Sequence, residues 1–127
     1  MAKFLKPFES QIFEAFRIIA GLMFLQHGLQ KIFGLFGGSA PADPMMWAAG
    51  GIELVGGAMV ATGFFTRWAA FFCSGMMAVA YFMVHAPKGI WPIENRGELA
   101  VFYCWAFLLI AARGPGLWSL DAVLRRR

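Results

Sequence analysis

"WAAGGIELVGGAMVATG", residues 47–63, decides the solvent in which this chain folds. Apart from Glu53 and Thr62, every side chain in it is apolar or missing. A helix needs about 20 such residues to cross the ~30 Å hydrocarbon core of a bilayer, and the run from Met45 to Phe64 supplies them. The composition agrees. Of the 127 residues 60% are hydrophobic and 14% charged, against roughly 25% charged in soluble domains. So short a chain cannot enclose that much apolar surface in a globule, because small domains bury the smallest fraction of their surface.

Working outward, three more apolar segments can be read, at 12–33, 68–86 and 95–112. Between the four lie "GLFGGSAPADP", "FTR" and "HAPKGIWPIENRG", rich in the glycine and proline that end helices. The pattern predicts an all-α protein, a four-helix integral membrane bundle forming one domain over 1–127, with a short C-terminal interfacial segment. That last segment, "GPGLWSLDAVLRRR", sets Leu117, Trp118, Leu120 and Leu124 ahead of Arg125, Arg126 and Arg127, as in a surface-lying anchor. The formal charge of +4 therefore points to the lipid bilayer as partner and not to nucleic acid.

Lys3, Lys6, Arg67, Arg113 and the three terminal arginines lie on one side of such a bundle, and Lys31, Lys88 and Arg96 on the other. The positive-inside rule then predicts both termini in the cytoplasm, across a bacterial inner membrane. Glu14 and Arg17 interrupt what would be the apolar region of a cleaved signal peptide, so the first segment is expected to remain as a helix.

Ionisable groups within the segments need a reason, since each costs about 2.5 to 3.5 kcal/mol at mid-membrane. Arg17, about 8 Å from the inner surface, is expected to snorkel beside Glu14 in a structural role. Lys31, His85, Asn95 and Glu98 fall within about one helical turn of the outer surface. For these, snorkelling and helix capping compete with function: Asn95 can cap, and Glu98 can bond back to it. His27 and Glu53 sit deeper, roughly 9 to 13 Å below the surface. Gly50 and Gly57 flank Glu53 on its helical face, where small residues admit a neighbouring backbone or a flat ligand. Glu53 either bonds across to another helix, with His27 as the candidate partner at its depth, or handles protons. In "FLQHGLQKIFGLFGG", residues 24–38, His27 and Lys31 are four apart and share a face. The prediction is one pocket in which His27, Lys31 and Glu53 converge, with Glu98 and His85 closing it nearer the outer surface.

"RIIAGLMFLQHGLQKIFG" from Arg17, "GGIELVGGAMVATGFFTRWAA" from Gly50 and "HAPKGIWPIENRGELAVFYCWAFLLIAARGPGLWSLDAVL" from His85 resemble, in order and without large gaps, the DoxX family of small bacterial four-helix membrane proteins. The resemblance implies Arg17, His27-Gly28, Lys31, Glu53 with Gly56 and Gly57, Asn95, Gly97, Glu98 and the Gly114-Pro115-Gly116 turn as family-typical positions. One branch of that group is similar to the membrane subunit of thiosulfate:quinone oxidoreductase. Other members are associated with oxidative-stress complexes that include a superoxide dismutase and a sulfurtransferase.

There is no CxxC pair, glycine-rich nucleotide loop or clustered metal-ligand spacing, so no metal is assigned. Two histidines at different depths do not suit a bis-histidine haem. Cys73 and Cys104, at similar depths, are expected to be buried and inert. A lipid-soluble quinone is the cofactor that suits a hydrophobic site with polar handles. Phe24, Phe33, Trp47, Phe82, Trp91 and Phe102 are candidates for an apolar slot, with His27, Lys31 or Asn95 as donors and Glu53 or Glu98 passing protons. Three functions stay open. One is a quinone-interacting subunit of a redox system with a partner oxidoreductase; its own catalysis is uncertain. The others are a membrane anchor or assembly scaffold with a structural polar core, and a small-molecule or proton translocator. Homo-oligomer formation is open as well.

Overall fold

A computed structural model describes residues 3–39 and 43–126. A 3₁₀ turn, Lys3–Phe8, leads into helix α1, Glu9–Phe33. Gly34 ends α1 in the left-handed conformation, φ +67°, with its N–H on the Gln30 carbonyl, as glycine C-caps do. Helix α2, Pro44–Thr62, opens with Pro44 in its first turn and Asp43 as N-cap, whose Oδ1 accepts from the Met46 N–H at 2.9 Å. Both features are helix-start chemistry. Helix α3, Thr66–Ala80, widens into a π turn at Tyr81–His85 and tightens to a 3₁₀ turn at Ala86–Lys88. Short α4, Pro92–Asn95, then α5, Glu98–Arg113, and α6, Leu120–Arg125, complete the order.

The chain is an all-α membrane protein. Three stretches, Lys3–Phe33, Pro44–Thr62 and Thr66–Lys88, are long and apolar enough to cross a bilayer. The fourth member of the bundle differs from expectation. Instead of running from Asn95, it breaks at Arg96, which adopts φ +60°, and restarts at Glu98. Helix α5 thus has 16 residues, roughly 24 Å of rise. The helices pack in a ring, α1 on α2, α2 on α3, α3 on α5 and α5 back on α1. Large apolar side chains such as Phe102 and Trp105 point outward, 74% and 66% exposed, which a soluble domain would not tolerate over so much of its surface.

Glycines close the α1–α2 seam. A Cβ at Gly28 would stand 2.5 Å from the Leu54 backbone nitrogen, and one at Gly57 2.5 Å from that of Leu25. Small residues at these crossings let the two backbones touch, which is how helices gain packing when lipid offers no hydrophobic drive between them. Phe24, Val60, Phe107 and Ile110 are fully buried in the core of the bundle. Phe24 meets Phe107 edge to face at 4.7 Å and Tyr103 at 5.1 Å, so these rings join α1 to α5.

Arg17 corrects the snorkelling expectation. It is fully buried and makes no ion pair with Glu14 among the described residues. Its guanidinium donates to the carbonyls of Val60 at 2.7 Å and Ala61 at 3.0 Å, at the electronegative C-terminal end of α2, and to Trp118 at 2.7 Å. Glu14 accepts from the N–H groups of Leu117 and Trp118. Asp121 accepts from the N–H groups of Phe65 and Thr66 and the Thr66 hydroxyl, while its own N–H donates to Gly63. The segment after Gly116 is therefore stapled under the bundle by buried charge. Leu117, Trp118, Leu120 and Leu124 remain exposed on it; Arg127 lies outside the described residues.

Candidate functional site

At the opposite end, where the α1–α2 and α3–α4 connections lie, the ring of helices opens around a cavity of about 300 Å³. Helix α1 contributes Phe24, His27 and Lys31; α2 contributes Met46 and Glu53; α3 and its π turn contribute Met77, Ala80, Val84 and His85. Arg96, Leu99, Ala100 and Tyr103 close the fourth side. The α-helical period explains the convergence, since Phe24, His27 and Lys31 recur at three and four residues and so share one face.

Lys31 Nζ lies 2.5 Å from Glu53 Oε1. The carboxylate is buried and the ammonium part-exposed, so Lys31 reaches in from the open end. The expected cross-helix bond of Glu53 thus goes to Lys31. His27, half-buried, instead sets its ring edge-on to Tyr103 at 5.8 Å. The predicted convergence of His27, Lys31, Glu53 and His85 on one cavity is present.

Asn95 and Glu98 occupy other places. Buried Asn95 organises the break before α5. Its Nδ2 donates to the Tyr81 hydroxyl and the Gly89 carbonyl, and its Oδ1 accepts from the Gly97 N–H. His85 Nδ1 is 3.1 Å from the Asn95 carbonyl oxygen, so Asn95 acts on the cavity by holding His85 in its wall. Gly97 is the N-cap of α5; the reciprocal cap from Asn95 and Glu98 does not form. Exposed Glu98 is not part of the cavity wall. Of the aromatic candidates only Phe24 lines the cavity, while Phe33, Trp47, Phe82, Trp91 and Phe102 are exposed on the bundle surface.

Two polar wall residues escaped the sequence reading. Arg96 counted only toward topology, and Tyr103 toward nothing. A signal for Tyr103 existed: the chain has 14 Phe but only 2 Tyr, and a hydroxyl inside an apolar segment asks for a partner. Cys73 and Cys104 are both free thiols, the first buried and the second half-buried beside Ser74.

Matching against family models assigns residues 13–86 to DoxX. The chain belongs to the DoxX family. An uncharacterized protein of Haemophilus influenzae is 44% identical over 113 residues, covering 83% of this chain and 84% of that one. A second from the same organism is 29% identical over 86 residues, 68% of this chain and 57% of its own length. The inner membrane protein YqjF of Escherichia coli is 29% identical over 119 residues, 87% of this chain and 90% of that one. No solved structure matches. The DoxX match includes α1, α2 and α3 with His27, Lys31, Glu53 and His85, and ends before the Arg96 and Tyr103 wall.

Proposed function

We propose that this DoxX protein is the membrane subunit of a redox system in the bacterial inner membrane, holding a lipid-soluble quinone in the cavity between its helices and working with a partner oxidoreductase. The observation that carries the reading is the Lys31–Glu53 pair set in a largely apolar wall with His27, His85, Arg96 and Tyr103 around it. Ligand sites have this character, apolar with a few convergent polar groups, and their volumes begin near 300 Å³, enough for a ring head group whose tail runs out between helices. Lys31 and His27 supply hydrogen-bond donors for a carbonyl. Glu53 supplies a proton acceptor beside it.

The scaffold reading is less well supported, because the α1–α2 seam is already closed by Gly28 and Gly57 against backbone. A charged pair is not needed to hold it. The distribution of basic residues supports a cytoplasmic location for both termini, and reporter fusions at each end test it. The function is tested by measuring displacement of a radiolabelled quinone analogue from protein in lipid nanodiscs. Saturable binding that His27→Ala weakens supports the reading; binding no greater than in empty nanodiscs refutes it.

A further inference from the structure

The ion pair uses only half of the Glu53 carboxylate. Oε1 faces Lys31, while Oε2, sealed from solvent, has no hydrogen-bond partner among the described residues, and neither does the Tyr103 hydroxyl. Both residues are more than nine-tenths buried and both line the cavity. Other buried polar groups are satisfied within the chain: Glu14 by two N–H groups, Thr66 by Asp121, Ser74 by the Cys104 carbonyl, Asn95 by three partners. Among the described residues the remaining unpartnered buried side-chain atom, Arg17 Nε, belongs to the staple at the far end. An unmade hydrogen bond in a low-dielectric site is costly, so two of them on one cavity point to the chemistry of its occupant.

Held by Lys31 as a carboxylate, Glu53 can only accept. The Tyr103 hydroxyl can donate or accept. A ligand hydroxyl answers both, giving its hydrogen to Oε2 and taking one from Tyr103. A ligand carbonyl or ether oxygen can take the Tyr103 hydrogen but turns lone pairs toward Oε2. We infer that the cavity selects ligands presenting a hydroxyl, the phenol and hydroquinone class, over the corresponding quinone or aryl ether. The inference rests on the reading of this cavity as a ligand site and adds which form of ligand it takes.

Two redox-inert probes separate these statements: 4-heptylphenol, and 4-heptylanisole in which a methyl group replaces the hydroxyl hydrogen. With the protein in lipid nanodiscs, calorimetric titration should show the phenol binding about tenfold or more tighter than the anisole, since a hydrogen bond to a charged acceptor is at stake. In Glu53→Gln, Lys31 keeps the amide oxygen and the amide N–H₂ turns to the cavity as a donor. The preference should then collapse or reverse, with anisole binding retained as proof of an intact cavity. Tyr103→Phe, which keeps the ring, should weaken both probes and leave the phenol preference standing. Equal affinities in the unaltered protein, or an unchanged preference in Glu53→Gln, would overturn this inference alone. Failure of both probes to bind would overturn it together with the ligand-site reading.

Discussion

Lys31 and Glu53 meet across the α1–α2 seam at 2.5 Å, yet their side chains differ in exposure, 27% against 3%. That asymmetry decides what each loss costs. Lys31 freed of its partner can swing toward the open end of the bundle, whereas Glu53 freed of its partner stays sealed beside Met77 and Tyr103. Removing one member of a buried pair strands the other charge, at roughly 3 to 5 kcal/mol. Lys31→Met should approach that range, Glu53→Gln should cost much less, and the double variant should recover part of the Lys31→Met loss. Unfolding titrations in mixed micelles measure all three.

The glycine seam predicts a steric result independent of charge. A leucine at Gly28 would drive its side chain into the Leu54 backbone, which cannot yield as a flexible side chain would. The loss should exceed the about 1 to 3 kcal/mol typical of overpacked cores. Gly51→Leu, where an added Cβ meets nothing within 4 Å, should be nearly neutral in the same assay.

Arg17 is predicted to hold the C-terminal segment, because only a planar guanidinium can reach the carbonyls of Val60, Ala61 and Trp118 together. Arg17→Lys keeps the charge and loses that geometry. Limited proteolysis should then cleave between Gly114 and Ser119 at sites protected in the unaltered protein, with the four helices still inserted.

The staple should also loosen in acid. Burial pushes the Asp121 carboxyl up, but hydrogen bonds from the Thr66 N–H and hydroxyl and the Phe65 N–H, with Arg125 nearby, outweigh it and hold the group below its ordinary value of 3.8. A carboxylate lowered in the folded state stabilises fully above its unfolded value and loses that contribution as pH falls through the folded one. Hydrogen exchange at the Phe65 and Thr66 amides should therefore accelerate, after correction for intrinsic rates, as pH drops below about 4. Asp121→Asn should abolish the pH dependence.

Much of the fold was legible because lipid imposes simple rules. Apolar run length located the helices, and Gly28, Gly50 and Gly57 marked faces open to close approach, but that they meet each other across α1 and α2 is visible only in the structure. The shared face of His27 and Lys31 followed from the helical period alone. Depth counted in residues brought Glu53 level with His27, but rise along an axis says nothing of the direction a side chain faces. That is why Phe33, Phe82 and Phe102 were candidates for a wall they do not form, and why Tyr103 was missed. Arg17 was misread for another reason: its acceptors are backbone carbonyls, one of them in a segment 101 residues away, and a carbonyl leaves no mark in sequence. The break at Arg96 depends likewise on Asn95 gathering Tyr81, Gly89 and Gly97.

On the proposed function, a quinone-class ligand resides in the cavity bordered by His27, Lys31, Glu53, His85 and Tyr103. Photolabelling with an azido-quinone in native membranes, followed by peptide mapping, tests it most directly. Label should concentrate on cavity-wall residues within 24–31, 77–85 and 96–103, and excess unlabelled quinone should suppress it. Label spread over the lipid-facing Phe71, Phe72 and Trp105, unaffected by competitor, would contradict it.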